Sequence, residues 1–272
     1  MFEYTLSDLR ATVNLLWPEE HAESWDHVGL VTGQDTAPVR RVLLAVDAVA
    51  ATVSEALSWS ADVLLTHHPL LLRGVHTIAE DTAKGALLAE LIRGNCAMLA
   101  AHTNADAPAG GVSDTWAHLL KLQQLQPIAP SAVPSAGIGR IGRLPEPLTL
   151  QQFAEEVARI LPSTVGGVRI AGDPRREIST VALCGGAGDS LLDHGLVRAA
   201  DVYVTSDLRH HPAQESLEQS IVGGGPALID VSHWASESLW LQQAVTDLTQ
   251  HLPGIEFKVS TLCTDPWTFR VG

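Results

Sequence analysis

The strongest constraint on how this chain can fold is an internal repeat. Residues 61–66 (ADVLLT) recur as residues 200–205 (ADVYVT), 139 positions later, and a His-His-Pro sequence follows each copy. Two more strand-like runs recur in the same order: residues 42–45 with 181–184, and residues 96–102 with 227–233. Runs of this kind separated by helical patterns predict an α/β fold of two similar units, an internal pseudo-duplication with sheets flanked by helices.

The repeat also suggests where the chain divides. We expect a first α/β unit over residues 1–125 and a second over 126–272, with a metal cleft between them. Residues 126–136 are rich in Pro, Ala and Ser and are interpreted as a linker. Residues 137–144 match a glycine-rich phosphate loop in spacing only, because Pro145 and Pro147 prevent the helix that such a loop requires. We therefore predict an edge strand there.

Composition excludes several classes of function. The formal net charge is −14, from 31 acidic and 17 basic residues, and this disfavours binding to nucleic acid. No apolar run is long enough to cross a bilayer, and the first residues lack the order of a signal peptide. The three cysteines show neither zinc-site nor disulfide spacing. These features predict a cytoplasmic protein without a membrane partner.

Two adjacent histidines, His67 and His68, directly follow the first apolar run. The carboxyl ends of parallel strands are where open α/β sheets bind ligands, and a neutral imidazole is a good ligand for borderline divalent metals. A His-His-Pro turn without any role is the alternative interpretation. The second pair, His210 and His211, is expected near the same site.

His233 and Glu237 are four residues apart at the start of a predicted helix, so they lie on one face of it. Such a pair often only forms part of a solvent-exposed helix face and has no functional role. However, His67, His68 and Asp106 stand at other predicted strand ends. Three imidazoles and two carboxylates suffice to hold two divalent ions that activate a shared water. The metal is zinc, iron, manganese or nickel, since these donors do not distinguish among them.

Several motifs along the chain resemble one protein family. This family comprises the dinuclear-metal-centre proteins, also called GTP cyclohydrolase 1 type 2 homologues or NGG-interacting-factor-like proteins. The matching motifs are residues 25–30 (WDHVGL), 66–70 (THHPL), 102–106 (HTNAD), 184–188 (CGGAG) and 233–237 (HWASE). Together they extend over essentially the whole chain.

The resemblance implies the same five metal ligands that the residue chemistry selects. It also implies a homohexameric ring whose metal sites face an internal cavity, and a small-molecule substrate with a nucleotide as first candidate. Two positions depart from the family pattern. His27 replaces the usual Asn, and Ser206 replaces a common Gly. Neither is a predicted ligand, so we expect these changes to affect the pocket and its substrate more than metal binding.

Four further residues are candidates for supporting roles. His102 is expected behind the ligands, orienting Asp106 or a metal-bound water, and is a candidate catalytic residue. Asp207 is a candidate proton acceptor. Arg73 is a candidate contact for an anionic substrate, and Trp234, between two predicted ligands, is a candidate wall of the pocket. An ordinary structural or surface role is the alternative for each.

The predicted function is a metal-dependent hydrolase whose activated water attacks an electrophilic carbon or phosphorus. By resemblance, the reaction is a ring opening of the GTP cyclohydrolase type 2 kind. The first alternative is a non-enzymatic protein that stores, senses or delivers metal. The second is a nucleotide phosphoesterase. Turnover after metal reloading separates the enzyme classes from the storage class.

Overall fold

The computed structural model describes residues 4–131 and 136–271. The chain forms two compact units, the first from residues up to 105 together with 241–264, and the second from residues 106–240 together with those from 265 onward. No helix within the described residues is both long and apolar enough to span a membrane.

The elements alternate between strands and helices along most of the chain. In the first half they are β1 (Tyr4–Thr5), α1 (Leu6–Leu16), β2 (Gly29–Thr32), β3 (Pro38–Val39), β4 (Arg41–Ala45), α2 (Ala50–Ser58), β5 (Val63–Thr66), α3 (Ala83–Arg93), β6 (Ala97–Ala100), α4 (Thr103–Asp106) and α5 (Val112–Leu119). In the second half they are β7 (Gln123–Pro130), β8 (Gly137–Thr149), α6 (Leu150–Ile160), β9 (Arg169–Ala171), β10 (Glu177–Ala187), α7 (Gly195–Arg198), β11 (Val202–Ser206), α8 (His210–Gly223), β12 (Ala227–Val231), α9 (His233–His251) and β13 (Glu256–Val259).

The first unit is built on a five-stranded sheet in the order β13-β4-β5-β6-β2. The first four strands are parallel and β2 is antiparallel to β6. The Val and Leu side chains of β4 and β5 are buried because helices cover the sheet. Val53 of α2 and Leu91 of α3 join Leu43 and Leu64 in one apolar core.

The second unit is built on a six-stranded sheet in the order β7-β8-β10-β11-β12-β9. Strands β10, β11 and β12 are parallel, and the outer strands are antiparallel to their neighbours. Alternate residues of β10 enter two cores. Leu183 packs with Trp116 and Phe153 on one face, whereas Ala182 packs with Tyr203 on the other. The predicted mixed α/β fold with sheets flanked by helices is therefore confirmed.

The two units do not follow the predicted ranges 1–125 and 126–272. Strand β13 pairs in parallel with β4, so a segment late in the chain completes the first sheet. Helix α5 and strand β7 belong to the second unit instead. The prediction of a linker over 126–136 was wrong for residues 126–130. These residues belong to β7, which continues to Pro130 and pairs with β8. Residues 132–135 lie outside the described part of the chain.

The glycine-rich residues 137–144 form a strand as predicted, but inside the sheet rather than at its edge, because β7 takes the edge position. This places Arg140 in the interior, where its side chain is only 2% exposed. Its Nε donates to Asp114 Oδ1 at 2.9 Å. Its other N–H groups donate to the backbone carbonyls of Ala107, Pro108, Gly137 and Gly139. All five donors of the guanidinium are thus satisfied, and the loop after Asp106 is anchored.

We expect Asp114→Ala to destabilise the protein by about 3–5 kcal/mol, because it leaves a buried guanidinium without its counter-charge. Asp114 also accepts the Gly110 N–H, which the variant would leave unsatisfied. Chemical denaturation monitored by tryptophan fluorescence measures the change. Glu80→Ala is the control, since it breaks an ion pair with Arg93 that is exposed on both sides and should lose far less. Equal losses in the two variants would contradict the structural role of Arg140.

Candidate metal centre

Three histidines gather at the carboxyl edge of the first sheet. His67 and His68 follow β5 directly, and His102 follows the neighbouring parallel strand β6. One ring nitrogen from each of the three lies within 4.8 Å of the others. His67 is fully buried, and the other two are partly buried. The predicted strand-end placement of His67 and His68 is therefore confirmed, and His102 lies beside them.

Each of these rings is fixed through Nδ1. His67 Nδ1 donates to the backbone carbonyl of Ala101 at 2.9 Å. His68 Nδ1 and His102 Nδ1 contact carboxylates, at 2.7 Å from Asp47 Oδ1 and 2.8 Å from Asp26 Oδ1. Because carbonyls and carboxylates only accept, Nδ1 carries the proton, and Nε2 is the atom presented for coordination. This is the arrangement that orients histidine ligands in metal proteins.

The two carboxylates behind the rings are themselves held in place. Asp26 Oδ2 accepts the Thr103 N–H at 3.0 Å and the Thr103 hydroxyl at 2.5 Å, and its Oδ1 accepts the His27 N–H. Burial alone would raise the pKa of the Asp26 carboxyl, but the bonds from His102 and Thr103 outweigh it and hold the pKa well below its usual value. Asp47 accepts the hydroxyl of Thr264, which follows β13.

Sequence reasoning missed Asp26 and Asp47 as functional residues. A signal existed for both. Asp47 stands two residues after β4, at the same edge of the sheet as His68, and Asp26 lies inside the WDHVGL motif. His102 was expected to orient Asp106 or a water, but its Nδ1 contact is with Asp26.

In the second unit, helix α9 begins at His233 and places Glu237 one turn further on. His233 Nε2 is 2.9 Å from Glu237 Oε1, and His233 Nδ1 is 2.8 Å from Asp207 Oδ2. Glu237 is buried, whereas Asp207 is 60% exposed. A buried carboxylate beside an imidazole whose far nitrogen is held by another carboxylate can hold a divalent cation. The same-face prediction for His233 and Glu237 is confirmed.

Ser236 and Gly186 contact His233 and Glu237 and help to fix their positions. Ser236 Oγ donates to the His233 carbonyl at 2.7 Å and accepts the Gly186 N–H at 2.9 Å. Gly186 has a φ of +67°, and a Cβ at this position would lie 2.6 Å from Glu237 Oε1. Glycine at this position near the end of β10 therefore allows the backbone to approach Glu237 closely. Ser206 Oγ, at one of the two departures from the family pattern, lies 3.4 Å from Ser236 Oγ.

In the second unit, the negative charges of Asp106 and Glu237 both act on the buried thiol of Cys184. Burial, followed by the negative charges of Asp106 and Glu237, raises the pKa of the Cys184 thiol to about 12. Asp106 ends the short helix α4 and directly precedes the loop that Arg140 anchors. Both carboxylates that were predicted as ligands are thus near one buried thiol.

The remaining candidates are placed as follows. Arg73 lies in an exposed bend of the first unit, and Trp234 is partly buried in the first turn of α9. His210 and His211 open helix α8 with exposed side chains, so the second His-His-Pro sequence does not continue a strand as the first one does. His27 is exposed, next to Asp26.

Comparisons with known proteins agree with this description. Residues 4–266 match the model of Duf34/NIF3 (NGG1p interacting factor 3). The chain is 43% identical to a "GTP cyclohydrolase 1 type 2 homolog" from Streptomyces coelicolor, covering 98% of this chain and 94% of that one. A protein of the same name from Mycobacterium tuberculosis is 35% identical over 372 aligned positions, covering 96% of each chain.

Solved structures share the fold. A Bacillus cereus protein related to NIF3 superposes with a TM-score of 0.88 at 24% identity, covering 98% of this chain and 99% of that one. A Staphylococcus aureus hypothetical protein superposes with a TM-score of 0.87 at 26% identity, covering 99% and 100%.

We expect Gly186→Ala to reduce metal binding, because the added Cβ would press on Glu237 Oε1 and His233 Nε2 and the φ of +67° disfavours alanine. Elemental analysis of metal per chain measures the effect, and thermal unfolding reports the accompanying strain. Gly166→Ala is the matched control, since a Cβ there meets no atom within 4 Å. Metal content equal to wild type in both variants would show that the close approach has no bearing on the site.

Proposed function

Because the chain belongs to the Duf34/NIF3 family, we propose that it is a dinuclear-metal-dependent hydrolase. Its metal ligands are His67, His68, Asp106, His233 and Glu237. The observation that carries the proposal is the orientation of the imidazoles of His67, His68 and His233. Each of them has its Nδ1 bound to an oxygen acceptor. Fixed in this way, each ring offers Nε2 as a ligand atom, and two carboxylates complete a donor set suited to two divalent ions.

Divalent ions held by these residues would supply a metal-activated water of lowered pKa, which is a nucleophile near neutral pH. The nitrogen and carboxylate donors suit zinc, iron, manganese and nickel. The chain's own residues would hold the ions and orient the side chains that bind them. Asp207 keeps His233 in the form protonated at Nδ1, and its exposed carboxylate is also our candidate proton acceptor.

The name of the curated relatives makes GTP the first substrate to test. The attacked atom would be an electrophilic carbon of the purine ring or a phosphorus. Arg73 is our candidate for contact with phosphate, and Trp234 for contact with the base. A nucleotide phosphoesterase is the second candidate, and it differs in its product, since it releases phosphate or a shortened nucleotide instead of opening the ring. The homohexamer that the family resemblance implies and the cytoplasmic location that the composition predicts belong to the same proposal.

Elemental analysis of the untagged protein tests the metal ligands. After reloading with zinc, iron, manganese or nickel, we expect about two ions per chain for the wild type, as a dinuclear centre requires. Glu237→Ala should hold fewer, because it removes a ligand. Glu218→Ala, on the exposed surface of α8, is the control and should match the wild type. Less than half an ion per chain in the reloaded wild type would contradict the metal centre.

The same preparations test catalysis. Incubation with GTP and other nucleotides, followed by chromatography of the products, should show turnover that is lost in Asp106→Ala and kept in Glu218→Ala. A protein that holds two ions but converts no nucleotide would instead support a role in storing, sensing or delivering metal. Turnover that survives in Asp106→Ala would have to come from another site or a contaminant.

A further inference from the structure

We propose that Trp25 is a stacking surface for a flat heteroaromatic ring of the substrate, of the size of a purine base, beside the histidine cluster of the first unit (His67, His68 and His102). This inference rests on the proposed function, in that it takes a nucleotide as the substrate. It deepens that proposal, because it names the part of the substrate that binds at this position and the residue that selects for it.

The indole of Trp25 is open to solvent although it lies directly beside the histidine cluster. Trp25 is 56% exposed, whereas Trp116 and Trp240 are buried and Trp234, the other candidate for contact with the base, is partly buried. The ring of Trp25 packs edge-on against the ring of His102, with centroids 5.9 Å apart. A contact of this kind covers only part of the indole. The remaining surface is available to another ring.

A closed turn holds Trp25 in this position. The Asp26 N–H donates to the Glu23 carbonyl at 2.9 Å, so that Ser24 and Trp25 are the central residues of the turn. Both ends of the turn are bound to Thr103. The Glu23 N–H donates to Thr103 Oγ1 at 2.9 Å, and Asp26 Oδ2 accepts the N–H and the hydroxyl of Thr103. Because the backbone is already fixed, little conformational freedom is lost when a ligand stacks on the indole, and this favours binding.

A ring stacked on Trp25 lies close to the histidine cluster. Stacked aromatic rings have centroids about 4.5–7 Å apart. The ring of His102 is 5.9 Å from the same indole, so the bound base and the imidazole are both direct neighbours of Trp25. This placement suits a reaction at the heteroaromatic ring better than one at a distant phosphate.

The charges beside Trp25 favour a neutral ring over a phosphate. Glu23 lies two residues before it and Asp26 directly after it. Like charges repel, so these carboxylates disfavour a phosphate at this position. A purine base is neutral near pH 7, and an indole can stack on any base because every base has a π face. The base is therefore the part of a nucleotide that fits here.

Calorimetric titration of the full-length protein with GMP and with ribose 5-phosphate tests the inference, because the two ligands differ chiefly in the base. The wild type should bind GMP about 5- to 150-fold more tightly, which is the contribution of one stacked base. Trp25→Leu should lose most of this preference, since leucine keeps the apolar bulk without the flat ring. Trp25→Phe should keep part of it. Trp267→Leu, at another exposed tryptophan, is the matched control.

Tryptophan fluorescence and metal content separate stacking from mere support of His102. A base stacked on an indole quenches its emission, so GMP should quench the wild type and Trp267→Phe more than Trp25→Phe. Trp25→Leu should hold as much metal as the wild type. If Trp25→Leu lost metal and bound both ligands equally weakly, the indole would only support His102, and the inference would be overturned.

The inference and the proposed function can fail separately. Equal affinity of the wild type for GMP and ribose 5-phosphate, or an unchanged preference in Trp25→Leu, would overturn the stacking surface even if the protein hydrolyses a nucleotide. A protein that selects GMP through Trp25 but converts no nucleotide would uphold the stacking surface and defeat the hydrolase.

Discussion

The parallel pairing of β4, β5 and β6 is the constraint on which the histidine cluster depends. Because the three strands run in one direction, the residues that follow them emerge at one edge of the sheet. Neighbouring strands lie about 4.7–4.9 Å apart, so side chains at adjacent strand ends can reach a common ion. Asp47, His68 and His102 follow these strands in turn, which gives both the ring nitrogens and the carboxylate behind one of them.

Local sequence patterns were sufficient to predict much of this arrangement. Short apolar runs identified the strands, and polar residues directly after them identified His67 and His68. The four-residue spacing identified His233 and Glu237. What local patterns could not show were partners distant in sequence. Asp26 lies 76 residues before His102, and Arg140 reaches back 26 residues to Asp114. Such contacts exist only once the strands have found their neighbours.

The second His-His-Pro sequence shows that a repeated motif and the register of a repeat can indicate different residues. At the offset of 139 residues, the counterparts of His67 and His68 are Ser206 and Asp207, not His210 and His211. Strand β11 ends at Ser206, and Asp207 takes a left-handed φ of 56° that turns the chain before α8 begins. The register of the repeat thus points to Asp207, which contacts His233, whereas the repeated His-His-Pro lies four positions further on.

The closure of the first sheet by β13 has a consequence for how the chain folds during its synthesis. Arg41 and Glu256, which are paired between β4 and β13, are 215 residues apart. Thr264, which bonds Asp47, emerges later still. A ribosome releases the chain from its N-terminus, so β4, β5 and β6 must wait with one sheet edge open until nearly all of the second unit has been made. The contact that holds Asp47, the carboxylate beside His68, can therefore form only late in translation.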